Sequence, residues 1–352
     1  MKWGRFTLGE LFTISLPSGD IQADKCEDGE APLLSAGFNN NGICKFIKCY
    51  DERARLYSSN VISVDMFGKA FFHGYGFYAV SHGRVNILTP RSVMNKYHMQ
   101  FVVTAIGYSV MGKFSYNQMC SSKRVKGLIV QLPIDDSGEP DYAFMERYIR
   151  YHEQRLIHEY TERIMRKLRT TPPRELPSLE GRTWRRFRIG ELFTLKMGKA
   201  KGANHLERDN VGISYLGATN RNNAVLDFVK PDDGLVQKGN CIAFIRNGEG
   251  SIGYSVYKAE DFISTADITL GYAPFLDRYT GMFITTVADK VRGKYSYNYK
   301  RSEERLRNEM IQLPIDDSGL PDWQLMHDYM LSLETQKLSL VLSHFAQRIS
   351  RA

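Results

Sequence analysis

Two short segments of the sequence combine a basic residue with aromatic and small polar residues in the same order. Residues 112–117 and residues 293–298 both read Gly-Lys-aromatic-Ser-Tyr-Asn. A lysine can contact a phosphate, and serine, tyrosine and asparagine can form hydrogen bonds to phosphates or to base edges. The pattern predicts nucleic-acid contacts, although a solvated loop beside a strand would have the same composition. Basic residues that follow each segment belong to the same set. The candidate nucleic-acid contacts are therefore Lys113, Tyr116, Asn117, Lys123, Arg124, Lys294, Tyr297, Asn298 and Arg301.

A second set of candidate contact residues lies in stretches rich in asparagine and basic residues. Asparagine and arginine have the paired donors and acceptors that bind the edges of adenine and guanine. A string such as Asn-Asn-Asn-Gly is also typical of a tight turn, so both interpretations remain open. The candidates of this set are Asn40, Lys69, His73, Arg84, Asn220, Arg221, Arg246, Asn247 and Lys258.

The sequence lacks the motifs of a familiar enzyme active site. It contains no Gly-x-Gly-x-x-Gly motif after a predicted strand, no Gly-x-x-x-x-Gly-Lys-Ser/Thr loop, and no Asn-Pro-Pro-aromatic motif of amino-methylating DNA enzymes. The paired acids at 135–136 and 316–317 invite a metal-site interpretation. Each pair stands in a Ser-Gly turn before a predicted helix, where turn and capping roles explain it. We therefore expect no catalytic residue and no metal site.

Composition narrows the class of protein. The five cysteines form no Cys-x-x-Cys pair, which argues against a zinc site and favours a reduced, cytoplasmic protein. No apolar run approaches the length of a membrane span, and the N-terminal residues do not resemble a signal peptide. The net charge of +8 is compatible with a polyanionic partner but does not prove one.

The two segments belong to a duplication that covers nearly the whole chain. Trp3 and Trp184 open similar motifs and lie 181 positions apart. The same offset separates the two Gly-Lys segments. It also separates two copies of the phrase Gln-Leu-Pro-Ile-Asp-Asp-Ser-Gly, at 131–138 and 312–319. This period is too long for a solenoid repeat, so it indicates a duplicated domain.

Each half of the duplication reads as a β-rich α+β module followed by a long helix. Short apolar runs separated by glycine and asparagine predict strands, and short helices are expected near 95–110 and 277–291. After the repeated phrase, apolar residues recur at three- and four-residue steps or at steps of seven, which predicts helices over about 141–168 and 322–349. The predicted apolar stripe contains Ile149, Leu156, Ile164, Leu331, Leu338 and Phe345.

A helix of this length, about 40 Å, cannot bury its stripe against a small module alone. We therefore expect the two long helices to pair as an antiparallel coiled coil and to hold the modules apart. The predicted domains are a first module at 1–140, a helix at 141–169, a proline-rich linker at 170–183, a second module at 184–321 and a helix at 322–352.

Together these features resemble a known family, the DNA-specificity (S) subunits of type I restriction–modification systems and the similar subunits of type IIB systems. The resemblance rests on the Trp-x-x-Phe-x-apolar-Gly-Glu-Leu-Phe motifs at 3–12 and 184–193. It also rests on the apolar-Gln-Leu-Pro strands at 130–133 and 311–314, and on the alternation of module and helix. It covers essentially the whole chain. The Asp-Asp-Ser-Gly-x-Pro-Asp-aromatic link is closer to the type IIB version.

The resemblance implies that each module is a target-recognition domain that reads one half of a bipartite site in double-stranded DNA. It implies that the helices set the spacing and dock methyltransferase and restriction subunits, or fused restriction–methylation subunits. Catalysis, S-adenosylmethionine and Mg²⁺ would belong to those partners, and this chain would bind no cofactor.

Two other hypotheses stay open beside a non-catalytic specificity subunit. A protein- or glycan-binding scaffold predicts no DNA binding at about 50–100 mM salt, where electrostatic contacts remain visible. An autonomous DNA-modifying enzyme predicts activity of the isolated chain.

Overall fold

A computed structural model describes residues 1–19, 21–37, 39–48, 54–80, 85–248 and 250–350. The chain folds into two compact units, Met1–Tyr160 and Thr161–Ala352. Each unit mixes helices with short strands, which confirms the predicted α+β class. The division between the units falls inside the first long helix, so the last turns of that helix belong to the second unit.

Among its described residues, the first unit contains three small sheets and four α-helices. Strand β1 pairs with β9, a four-stranded sheet has the order β2-β8-β5-β6, and a three-stranded sheet has the order β4-β3-β7. The elements in chain order are β1 (Lys2–Thr7), α1 (Leu8–Leu11), β2 (Phe12–Ser15), β3 (Asp28–Leu34), β4 (Ile43–Ile47), β5 (Val61–Asp65), β6 (Ala70–His73), β7 (Tyr78–Ala79), β8 (Val85–Pro90), α2 (Lys96–Val110), α3 (Ser122–Lys126), β9 (Ile129–Ile134) and α4 (Tyr142–Thr170).

The second unit repeats the same order of elements. Strand β10 pairs with β18, and the larger sheets have the orders β11-β17-β14-β15 and β13-β12-β16. The strand order is therefore duplicated even where the two sequences diverge. The elements are β10 (Trp184–Arg188), α5 (Ile189–Leu192), β11 (Thr194–Met197), β12 (Arg208–Leu216), β13 (Val225–Val229), β14 (Cys241–Ile245), β15 (Ser255–Lys258), β16 (Phe262–Ser264), β17 (Ile268–Tyr272), α6 (Arg278–Asp289), α7 (Glu303–Arg307), β18 (Met310–Pro314) and α8 (Trp323–Ser350).

The opening and closing motifs of each half are partners in one antiparallel ladder. Trp3 lies opposite Pro133 in the pairing of β1 with β9, and Trp184 lies opposite Pro314 in the pairing of β10 with β18. The two motifs keep the same offset because the pairing of their strands closes each module. The long helix then leaves from this closed ladder.

The repeated Asp-Asp-Ser-Gly phrase is the turn that launches each long helix. Asp135 Oδ1 accepts hydrogen bonds from the Ser137 N–H and hydroxyl, at 2.9 and 2.6 Å. The Ser137 hydroxyl holds the pKa of Asp135 below its usual value. Asp316 makes the same bonds at the same distances. The first acid of each pair is thus a turn residue, and the aspartate before the helix, Asp141, caps it by accepting from Phe144 N–H at 2.8 Å.

An asparagine with a left-handed backbone ties the central sheet to the following helix in both units. Asn60 and Asn240 have φ of 66° and 50°, a conformation that asparagine tolerates better than most residues. Their amide nitrogens donate to the carbonyl oxygens of Met94 and Leu276, at 2.7 and 2.9 Å. Both acceptors lie just before the start of α2 or α6.

Helices α4 and α8 contain 29 and 28 residues. Within the second unit, the last turns of α4 contact both α6 and α8. The Lys167 ammonium lies 3.0 Å from the Tyr279 hydroxyl and 3.5 Å from a Glu334 carboxylate oxygen. Among the predicted stripe residues, Ile164 is buried and Leu156 is 46% exposed. The partly exposed ones are Ile149, Leu331, Leu338 and Phe345.

A buried ion pair lies in the core of the second unit. Arg301 and Glu309 are fully buried in their side chains, and Arg301 also donates to the Gly253 carbonyl at 3.1 Å. The Tyr295 hydroxyl forms a third contact, with Glu309. The equivalent positions of the first unit, 181 residues earlier, hold Phe114, Cys120 and Leu128. The same site is therefore charged in one unit and free of charge in the other.

The start of each long helix is tied to the start of α2 or α6 by a contact between a carboxylate and a histidine. The carboxylate lies on the long helix in the first unit and on the cap residue of α6 in the second. In the first unit, Glu146 of α4 accepts from the Asn95 amide at 2.7 Å and lies 3.5 Å from His98. In the second unit, His327 of α8 lies 2.7 Å from Asp277. Burial alone would raise the pKa of Asp277, but hydrogen bonds from the Thr280 N–H and from His327 hold it below its usual value.

We predict that Glu309→Leu destabilises the second unit by about 3–5 kcal/mol, because it leaves a buried guanidinium without its carboxylate. The triple variant Arg301→Met, Glu309→Leu, Tyr295→Phe removes the whole network and should cost much less. Urea unfolding of the full chain measures both changes. A triple variant as unstable as Glu309→Leu would contradict this account.

We predict that Asp277→Asn lowers stability by up to about 1 kcal/mol, since the pair is partly exposed and screened. Asparagine retains the cap but loses the charge. Because the folded-state pKa is depressed, the difference from wild type should be present above about pH 4 and disappear as pH falls through that lower pKa. The exposed Asp317→Asn is the matched control in thermal unfolding between pH 2 and pH 7. An Asp277→Asn deficit that persists at the acid end would exclude a contribution from the charge.

Candidate nucleic-acid interface

Residues 112–118 of the first unit form a tight, exposed turn after helix α2. Ser115 and Gln118 exchange both backbone hydrogen bonds, at 3.3 and 3.0 Å, so Tyr116 and Asn117 form the tip. The Tyr116 side chain is 72% exposed, and Asn117 and Lys113 are exposed beside it. We call residues 115–118 the Tyr-Asn turn of the first unit.

The second unit presents the same turn at residues 296–299. Ser296 and Tyr299 exchange backbone hydrogen bonds at 3.2 and 3.0 Å. Tyr297 is 75% exposed, and Asn298 and Lys294 are exposed as well. The structure therefore brings the predicted lysine, tyrosine and asparagine together in each unit, with the same backbone geometry.

An arginine from the next helix supports each Tyr-Asn turn. The Arg124 guanidinium donates to the Met119 carbonyl at 2.8 Å, and Arg305 donates to the Lys300 carbonyl at 2.7 Å. Arg305 is thus the counterpart of Arg124, and the offset of 181 would have identified it. Lys123 is exposed, but its counterpart in the second unit is Glu304, so it is not a shared residue.

Basic and aromatic side chains surround both turns. In the first unit, a shallow groove of about 580 Å³ includes Lys113, Lys123 and Arg124 in its lining. In the second unit, the Lys300 ammonium lies 5.2 Å from the centre of the Tyr297 ring, and the Arg305 guanidinium lies 3.8 Å from the Tyr299 ring. Positive charge beside exposed rings suits phosphates and stacked bases.

Three of the predicted contact residues, Arg301, His73 and Lys258, are wrong because their side chains are buried. Arg301 is 0% exposed and is used by the ion pair with Glu309. His73 is also 0% exposed. Its ring nitrogens lie 2.7 Å from the Ser63 hydroxyl and 3.3 Å from the Tyr75 hydroxyl, and burial lowers its pKa to about 4. It is a neutral core residue at neutral pH.

Lys258 is also buried, at 1% exposure, and pairs with Glu260. It occupies the strand position that His73 has in the first unit, since each is the last residue of its strand and lies opposite the first residue of the central strand. A titratable side chain therefore ends this strand in both units without reaching the surface.

The asparagine-rich strings form turns between paired strands. Asn40 and Asn41 have φ of 48° and 54° and connect β3 to β4. The equivalent turn of the second unit is made by Asn222 and Asn223, with φ of 48° and 54°. The turn interpretation therefore explains the backbone at Asn40, while its side chain is exposed.

The remaining candidates differ in accessibility. Lys69, Asn220 and Arg221 are exposed, whereas Arg246 and Asn247 are partly exposed. Arg246 donates to the Ala266 carbonyl at 3.1 Å, and Asn247 donates to Asp267 at 3.0 Å. Arg84 lies outside the described residues. In the described part of the chain, no three His, Cys, Asp or Glu side chains cluster as a metal site would require. No helix among these residues is long and apolar enough to cross a membrane.

Comparison with known proteins identifies the family to which this chain is similar. The sequence model of the type I restriction modification DNA specificity domain matches residues 1–161 and residues 181–342. The "Type II restriction enzyme BgcI specificity subunit S.BcgI" of Heyndrickxia coagulans is 26% identical over 342 residues, which is 96% of each chain.

Two solved structures align with nearly the whole chain. The type I restriction–modification S subunit from M. genitalium has 15% identity and a TM-score of 0.49, covering 100% of this chain and 93% of its own. The HsdS subunit from Thermoanaerobacter tengcongensis has 13% identity and a TM-score of 0.31, covering 98% and 91%. Because the family model matches both halves, this chain belongs to the type I restriction–modification DNA specificity family, as a non-catalytic specificity subunit with two recognition domains in tandem.

Proposed function

We propose that this chain binds a bipartite site in double-stranded DNA and that each unit reads one half-site. The observation that carries the proposal is the pair of matching Tyr-Asn turns, each with an exposed lysine. Two half-sites share the same phosphate backbone but differ in their bases. Exposed residues that both units share are therefore suited to the backbone, and residues that differ are suited to the bases.

Lys113 and Lys294 are the proposed phosphate contacts. Neither lysine has an ion-pair partner in the described parts of the chain, so both are available to neutralise a phosphate. Tyr116 and Tyr297 at the turn tips can donate a hydroxyl hydrogen bond to phosphate or sugar. The asparagine beside each tyrosine adds a second donor. Arg124 and Arg305 hold the turns in place.

Base recognition belongs, in this proposal, to the residues that differ between the units. In the first unit this is Lys69, since Asn40 has the counterpart Asn222. In the second unit they are Asn220, Arg221 and Arg246. Asparagine fits the paired donor and acceptor of adenine, and arginine fits those of guanine. The unequal residue types would give the two half-sites different sequences.

The long helices are the proposed spacer and docking elements. Each reaches about 40 Å, close to the 34–36 Å of about one turn of duplex DNA. Antiparallel pairing through the apolar stripe would fix the distance between half-sites. The helices would also dock methyltransferase and restriction subunits, or a fused subunit, in the cytoplasm. Those partners would bind S-adenosylmethionine and Mg²⁺.

The double variant Lys113→Ala, Lys294→Ala should weaken binding to every duplex by a similar factor. It should also reduce the slope of log affinity against log salt by about two, one for each lost phosphate contact. Fluorescence anisotropy of the complex with its partner subunits, from 50 to 300 mM salt, measures both effects.

The double variant Lys113→Arg, Lys294→Arg is the control and should retain the slope. If affinity falls for the preferred sequence alone, the lysines act in base recognition and the proposed backbone role is wrong.

Replacing residues 3–138 by a copy of residues 184–319 makes a chain with two identical modules. Its preferred target should become a repeat of a single half-site, because the symmetry of a site follows the symmetry of the protein. Selection from random duplexes, followed by sequencing, measures the change. Retention of the original two-part sequence would show that the modules do not read separate half-sites.

A further inference from the structure

An open groove crosses the first unit where β1 and β9 meet α2 and α4. Its volume is about 1200 Å³. The lining is rich in aromatic side chains, and Trp3, Tyr108 and Tyr148 in it are 53%, 75% and 45% exposed. A continuous exposed aromatic surface of this kind typically marks an interaction site. The apolar residues of the lining include Trp3, Phe101, Tyr108, Phe144, Tyr148 and Ile149.

The rim of this groove is basic. Arg5 and Lys113 lie in its lining, which contains no aspartate or glutamate among the described residues. Both side chains are exposed. An occupant that combines apolar residues with flanking carboxylates would therefore match both the floor and the rim.

The second unit has the same surface, and there it is covered. Trp184 stacks on Phe283 with ring centres 6.3 Å apart, as Trp3 stacks on Phe101 at 6.4 Å. Leu179 of the linker packs against the hydrophobic cluster that contains Phe283, and Trp184 packs against the same cluster. Trp184 is only partly exposed, whereas Trp3 is more than half exposed.

The other positions show the same difference between the two surfaces. Leu325 occupies the position of Phe144 and is 7% exposed. Tyr329 occupies the position of Tyr148 and is only partly exposed. The duplication thus provides one surface with an occupant and one without, on the same fold.

The segment that reaches this cluster in the second unit is the proline-containing segment 174–183, through Leu179. The Arg174 carbonyl accepts from the Gln336 amide of α8 at 3.0 Å, and the Thr183 carbonyl accepts from Ile315 N–H at 3.0 Å. The segment reads Arg-Glu-Leu-Pro-Ser-Leu-Glu-Gly-Arg-Thr. Leu176 and Leu179 are flanked by Glu175 and Glu180. The segment therefore combines apolar residues with acids, as an occupant of the open groove would.

We propose that the groove at Trp3 is a docking site for a segment of a partner subunit. The segment would be non-helical and would carry two apolar residues flanked by acids, like residues 175–180. The aromatic floor is unsuited to a phosphate backbone, which distinguishes it from the adjoining Tyr-Asn turn, and Lys113 is the residue at the boundary of the two surfaces. The proposal rests on the proposed function only in requiring a partner subunit.

The first test uses the chain itself. Residues 174–183 are fused after an initiating methionine and directly before Trp3, so that they precede Trp3 as they precede Trp184. The tether keeps the segment at a high effective concentration. In protein labelled with 5-fluorotryptophan, the Trp3 resonance, assigned with Trp3→Phe, should shift. Quenching of that resonance by a soluble paramagnetic nitroxide should fall to the level seen for Trp184.

The matched control is the same fusion with both leucines replaced by serine. This variant should leave the Trp3 resonance and its quenching unchanged. If the leucine and serine fusions behave alike, the groove does not select an apolar segment and the proposal is overturned, whatever the result for DNA binding.

The second test distinguishes the occupants in the natural complex. Assembly of the unmodified chain with its methyltransferase partner should protect Trp3, and the leucine fusion should weaken that assembly while the serine fusion does not. Protection of Trp3 by a DNA duplex alone, or by raising the concentration of the chain alone, would assign the groove to DNA or to a second copy. Either result would overturn the proposal. Separate measurement of DNA affinity keeps a failure of the proposed function distinguishable.

Discussion

The pairing of the first strand with the strand before the long helix is the constraint on which each unit depends. It places Trp3 opposite Pro133 and Trp184 opposite Pro314. Because the ladder closes the module, everything between its strands can vary without changing where the helix begins. The Asp-Ser-Gly turn and the aspartate cap then set the start of the helix. This closed joint explains why the ends of the repeat keep one offset.

The interior of the repeat does not keep a single offset between equivalent strands. Val61 and Cys241 begin equivalent central strands 180 positions apart, whereas Ala70 and Ser255 begin the next strands 185 positions apart. The strand order survives these insertions because each central strand keeps its two antiparallel neighbours. The asparagine before each central strand also ties it to the following helix. Loops can therefore change length and composition while the frame that carries them stays the same. A constant frame with variable loops suits the proposed recognition of two different half-sites.

The repeated motifs were sufficient to predict the duplication, the α+β class and the two long helices. They also located the Tyr-Asn turns, although not their backbone pairing. Arg301 and His73 were wrongly assigned because residue type does not reveal burial: a guanidinium can enter a core once a carboxylate eight residues later neutralises it. The covered surface at Trp184 could not be predicted either, since a proline-rich string is typical of a free connector, and only the structure shows Leu179 packed against the hydrophobic cluster.

The buried pair of Arg301 and Glu309 has a further consequence for two domains that share one fold. Removing charges from water becomes less costly as temperature rises, since the hydration of ions carries a strongly negative entropy. The uncharged residues at the same site of the first unit gain nothing from that effect. The second domain therefore retains relatively more of its core stabilisation on warming, and the two halves of the chain differ in the temperature dependence of their folding.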